Sequence, residues 1–75
     1  MLHGRSTNLL GYDVQIVELF EEGNPRPTRV RMTAENDKNW VIKYYDINTN
    51  FYEYMNELLP KFKKAIIDME RELNV

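Results

Sequence analysis

Three stretches of the chain carry a readable alternation of apolar and polar residues, and a fourth changes period. In residues 28–35, TRVRMTAE, the residues Val30, Met32 and Ala34 fall on one side and Arg29, Arg31, Thr33 and Glu35 on the other, which predicts a strand with one buried face. Residues 40–46, WVIKYYD, alternate again, with Trp40, Ile42 and Tyr44 opposite Val41, Lys43 and Tyr45. The heavier set, Trp40, Ile42 and Tyr44, is assigned to the core. Between these strands, NDKN supplies turn residues whose side chains bond their own backbone.

Residues 12–22, YDVQIVELFEE, fit two periods. Tyr12, Val14, Ile16 and Phe20 alternate as a strand does, while Tyr12, Ile16, Leu19 and Phe20 could line a helix. The β-branched and aromatic content favours the strand. The following GNPRP contains two prolines without amide hydrogens and a glycine free to take positive φ, and reads as a loop.

From Asn50 onward the spacing becomes three and four: Phe51, Met55, Leu58, Phe62, Ile66, Met69 and Leu73 form an amphipathic helical stripe. Asn50 suits the N-cap, with Glu53 three residues later completing a capping-box-like pair. Pro60 lies inside, so a kink or break is expected near Leu59. Neither sheet nor helix can bury its apolar side alone. The expectation is an α+β, two-layer β-β-β-α domain over residues 12–75, in which a three-stranded antiparallel meander is covered by one long C-terminal helix. Residues 1–11 have no period and are expected to form a flexible arm.

Size and composition narrow the function classes. A 75-residue chain holds one small domain, with a core that is marginal by itself. There is no cysteine and only one histidine, His3, so disulfides, thiolate nucleophiles and the usual zinc arrangements are not expected, nor is any cofactor or metal. No apolar run nears the length of a membrane span, and the chain reads as soluble and cytoplasmic with no membrane partner.

Catalytic patterns are also lacking. Gly4, Gly11 and Gly23 stand singly and form no phosphate loop, and Ser6 has only His3 for company. Asp46, Asn48, Asn50 and Glu57 fall at calcium-ligand spacings of an EF-hand loop. However, Phe51 occupies the position that needs glycine, and turn and cap roles account for the same residues. The chain is therefore read as a non-enzyme with no catalytic residues.

Six of the nine aromatic residues lie between residues 39 and 54, and they leave two candidate surfaces. The leading one is the helix with its flanking rings: Tyr52, Tyr54, Leu59, Lys63 and Ile67 would bind a protein partner, making the chain a regulator or inhibitor, with a homodimer as one form of that partner. The alternative is the outer sheet face. Net charge is −2, yet residues 24–45 are locally basic, and Arg26, Arg29, Arg31, Lys38, Lys43 and Tyr45 would together hold single-stranded nucleic acid. Ordinary solubilising residues on an exposed face explain these same cations.

Overall fold

The computed structural model describes residues 4–73; His3 lies outside them, as do the other first residues of the expected arm. The element order is β1 (Gly4–Leu9), β2 (Tyr12–Phe20), β3 (Pro27–Glu35), β4 (Trp40–Asp46) and α1 (Phe51–Leu73). The strands form one antiparallel meander in the order β1-β2-β3-β4. The α+β class and the covering C-terminal helix are as expected, but the sheet has four strands rather than three, because Gly4–Leu9, read as part of an arm, pairs with β2 from Leu9↔Tyr12 to Gly4↔Val17.

The turn that joins β1 to β2 explains how such a polar segment is recruited. Leu10 and Gly11 both have positive φ, 55° and 80°, the signature of a two-residue type I′ turn whose twist matches that of the flanking strands. Once β2 is anchored in the core, the backbone of β1 gains a partner for its N–H and C=O groups, and the two-residue turn keeps the loop-closure part of the entropic cost small.

The central strands supply most of the sheet's share of the core. Tyr12, Val14 and Ile16 on β2 and Val30, Met32 and Ala34 on β3 are buried against Tyr54, Leu58, Phe62 and Ile66 of the helix, with Ile47 from the connection sealing one end. The helical residues recur every four positions, so one stripe faces the sheet. Asn50 caps the helix as the spacing predicts, its Oδ1 accepting a hydrogen bond from the Glu53 N–H at 3.0 Å.

Pro60 does not break α1. The helix continues through it to Leu73 with Pro60 on its exposed side, and what is lost is the hydrogen bond that the Asn56 carbonyl would receive. Packing of Leu58, Phe62 and Ile66 on both sides of the proline holds the helix together across that gap.

The largest departure from the sequence reading is the orientation of β4. Pairing with β3 sets Val30 opposite Tyr45, Met32 opposite Lys43 and Ala34 opposite Val41, so the odd-numbered residues of β4 face the helix. Val41 and Tyr45 pack at the margin of the core. Trp40, Ile42 and Tyr44 point to the other side of the sheet, where they are 68%, 43% and 51% exposed.

Candidate functional site

Among the described residues no layer covers the face of the sheet opposite the helix, and the residues of that face follow from the register. β4 contributes Trp40, Ile42, Tyr44 and Asp46, β3 contributes Arg29, Arg31, Thr33 and Glu35, and β2 contributes Asp13, Gln15, Val17 and Leu19. Four cross-strand rows result. Trp40 lies in line with Glu35 and Asp13, Ile42 with Thr33 and Gln15, Tyr44 with Arg31 and Val17, and Asp46 with Arg29 and Leu19. The apolar residues of β4 thus form a continuous stripe along one edge of the face, with a pair of arginines beside its Tyr44 end.

Arg29 is held by two neighbours. Its guanidinium carbon lies 5.2 Å from the centre of the Tyr44 ring, and its Nε is 3.7 Å from Asp46 Oδ1. Both contacts are exposed and so contribute modestly, but they organise the ring and the cation into one assembly. Arg31 presents its neighbouring guanidinium with a buried Nε that has no hydrogen-bond partner among the described residues. At the other end of the stripe, Asp13, Gln15, Thr33, Glu35, Trp40 and Ile42 border a shallow concavity with room for about 410 Å³. The face therefore offers an apolar edge, arginines at one end and carboxylates at both.

The cations named for nucleic-acid binding do not assemble. Arg29 and Arg31 lie on the outer face, but Lys43 and Tyr45 point to the helix side, because pairing places them opposite Met32 and Val30. Arg26 sits in the loop before β3 and Lys38 in the turn after it, at opposite ends of a nine-residue strand that spans roughly 30 Å. Three carboxylates, Asp13, Glu35 and Asp46, share the outer face with the two arginines, so it is not basic. Burial of Tyr45 at the core margin raises its phenol pKa.

The helix surface is also altered. Tyr54 is 3% exposed and belongs to the core, where its hydroxyl donates to Glu18 Oε2 at 2.9 Å and its ring meets Phe51 edge to face at 5.4 Å. Desolvation raises the Tyr54 pKa well above the tyrosine norm, and the Glu18 hydrogen bond and charge add to the shift. Leu59 packs against the core. Tyr52 and Lys63 are exposed and Ile67 is partly so, and the three share one side of the helix at spacings of 11 and 4. Arg5 of β1 covers the helix start, its guanidinium 3.9 Å from the centre of the Phe51 ring.

Three of the four residues at calcium-loop spacings have other partners. Asp46 pairs with Arg29, Asn50 caps the helix, and Glu57 Oε1 accepts from Lys61 Nζ at 3.4 Å. Among the described residues no group of three or more His, Cys, Asp or Glu side chains could hold a metal ion, and no helix is long and apolar enough to cross a membrane. No protein-family model, curated protein or solved structure matches the chain.

Sequence reasoning missed the stripe because both faces of β4 are apolar enough to be buried. The signal that could have found it was the length of the turn. With residues 36–39 as the connection, Glu35 meets Trp40, and the inward Met32 must then face Lys43 rather than Ile42 or Tyr44.

Proposed function

We propose that the chain is a small, non-enzymatic binding module of the cytoplasm that engages a protein partner through the outer face of its sheet, and in doing so regulates or inhibits that partner. The observation that supports this most is the stripe of Trp40, Ile42 and Tyr44 on the uncovered face. A domain of 75 residues has little apolar surface to spare, yet it leaves its single tryptophan outside while a lysine and an alanine occupy helix-side positions on β4 and β3. Contiguous exposed apolar residues with a polar rim characterise interaction sites, and Trp, Tyr and Arg are the residues on which binding energy concentrates.

The rings and arginines of this face are also what a single nucleic-acid strand requires. The protein reading is preferred because Asp13, Glu35 and Asp46 share the face, Arg29 is already engaged by Asp46, and Lys43 is turned away.

The test compares three proteins carrying the same affinity tag: wild type, a Trp40→Glu/Tyr44→Glu variant and a Tyr52→Glu/Lys63→Glu variant. A partner retained by the wild type and the helix variant but lost by the sheet variant is the expected result. Loss from the helix variant alone would overturn the assignment in favour of the helix. Binding of a labelled single-stranded oligonucleotide that weakens steeply with salt and disappears in the sheet variant would instead make the face a nucleic-acid surface.

A further inference from the structure

β4 is the last strand of the meander, and the two hydrogen bonds that bracket its pairing with β3 show which of its backbone groups are unused. The Ile47 N–H donates to the Thr28 carbonyl, and the Asn36 N–H donates to the Asn39 carbonyl, both at 2.9 Å. Antiparallel ladders alternate between bonded and non-bonded pairs. The same register therefore directs the N–H and C=O groups of Val41, Lys43 and Tyr45 toward β3, and those of Trp40, Ile42 and Tyr44 toward the open edge. The open edge contains no proline or bulge to blunt it.

We propose that this edge pairs with the same edge of a second copy, antiparallel about a two-fold axis at Ile42, to join two four-stranded sheets into one of eight strands. The open backbone groups restrict the register to even-numbered residues opposite even-numbered residues. Side chains then choose among those registers. With the axis at Ile42, Trp40 lies opposite Tyr44 of the second copy and Ile42 opposite its counterpart on the outer face, while Lys43 lies opposite Val41 on the helix side. Moving the axis to Lys43 sets lysine against lysine at a close, non-bonded position and leaves Trp40 facing Asp46, which like-charge repulsion and lost ring contact both disfavour.

Charge on the helix supports the same occupant. The groove between β4 and α1 is lined by Val41, Lys43 and Tyr45 from the strand and by Lys61, Lys64, Asp68 and Glu72 from the helix. Along α1 the two lysines precede the two carboxylates, and because Lys61 is already paired with Glu57 at 3.4 Å, it is Lys64 that leaves the earlier part of this side basic against the acidic end at Asp68 and Glu72. The connection at residues 47–50 turns the chain back over the sheet, which places the acidic end beside Val41 and the basic end beside Tyr45. A two-fold axis at Ile42 reverses this order in the second copy and brings Lys64 of each toward Asp68 and Glu72 of the other. The assembly is self-complementary in backbone, rings and charge, and it extends the apolar stripe of the outer face across both copies.

Sedimentation equilibrium over a wide micromolar range tests the pairing. The expected mass rises with concentration from 9.0 kDa toward twice that value, and Ile42→Pro, which removes an outward N–H and leaves the β3 ladder intact, is expected to stay at the monomer mass with an unchanged far-ultraviolet spectrum. A wild-type mass of 9.0 kDa throughout would overturn the proposal.

The register is tested separately in this cysteine-free chain. Mixing Val41→Cys with Lys43→Cys under mild oxidation is expected to give a mixed disulfide, since those positions face each other at a separation suited to one. Faster cross-linking of Lys43→Cys to itself, or none in the mixture, would overturn it. Monomeric behaviour would leave the outer-face reading standing, and failure of the partner experiment would leave the dimer standing, so the two are distinguishable.

Discussion

Replacing Trp40 by threonine separates a core indole from a surface one. At 68% exposure Trp40 buries about a third of its side-chain surface, on the order of 80 Å² if a full indole is about 250 Å². At about 25 cal/mol per Å², the burial contributes at most about 2 kcal/mol, and threonine retains part of it along with a strong preference for strands. Truncating a fully buried tryptophan or phenylalanine costs about 3–5 kcal/mol. A 75-residue domain has a total stability of about 4–11 kcal/mol, so the two cases differ visibly.

The assay is urea unfolding followed by far-ultraviolet circular dichroism at dilute protein, with Phe62→Ala, whose ring is fully buried, as the internal standard. Trp40→Thr is expected to lose about 1 kcal/mol and Phe62→Ala about three times as much or more. A loss above about 3 kcal/mol for Trp40→Thr would refute the reasoning, because it would place the indole in the core and β4 one residue out of the register described.

Two further outcomes follow from local geometry. Leu10 holds a left-handed backbone at φ 55°, which costs a residue with a branched side chain about 1–2 kcal/mol, so Leu10→Asn is expected to raise the thermal midpoint by several degrees; a lower midpoint would show that the exposed Leu10 side chain contributes more than the strain it carries. Tyr54 and Tyr45 have folded pKa values raised above the ordinary tyrosine value of 10.0, so the stability they contribute is present below that pH and is lost as pH climbs from it toward their folded values; a Tyr54→Phe variant should lose less stability than wild type across that alkaline range, and an identical loss would show that the Tyr54 hydroxyl carries no part of it.

What could be read in advance depended on how one-sided each element's pattern was. β3 alternates with three apolar residues against two arginines, and the helix carries its stripe for six turns, so each has a single way to bury its apolar face. The Asn50 cap was legible for the same reason: a side-chain oxygen at the first turn satisfies an N–H that nothing else reaches. β1 was not legible, since its helix-side residues are Arg5, Thr7 and Leu9 and only the last is apolar. Arg5 serves there by laying its guanidinium over Phe51, a contact between residues far apart in the chain that no local period announces.

The candidate site shows the same division. The rings and cations from which a binding surface could be made were present in the sequence, and so was their concentration between residues 24 and 54. Which of them share a face depended on a register that slides by one residue with the length of a turn. Asn36 sets that length by accepting hydrogen bonds from the N–H groups of Lys38 and Asn39 through its side-chain oxygen, at 2.9 and 2.7 Å.

The sequence by itself determined the elements whose burial has one solution, β3 and the capped amphipathic helix, while over residues 12–22 it favoured a strand and left a helix open. Only the tertiary structure decided that residues 4–9 are a strand, that Tyr54 lies inside, and that Trp40, Ile42 and Tyr44 lie outside. The physical reason is that a strand apolar on both faces has no preferred side of its own. It takes the side that pairing with its neighbour imposes, and here the cross-strand hydrogen bonds and the turn after β3 imposed the choice that leaves the largest rings facing water.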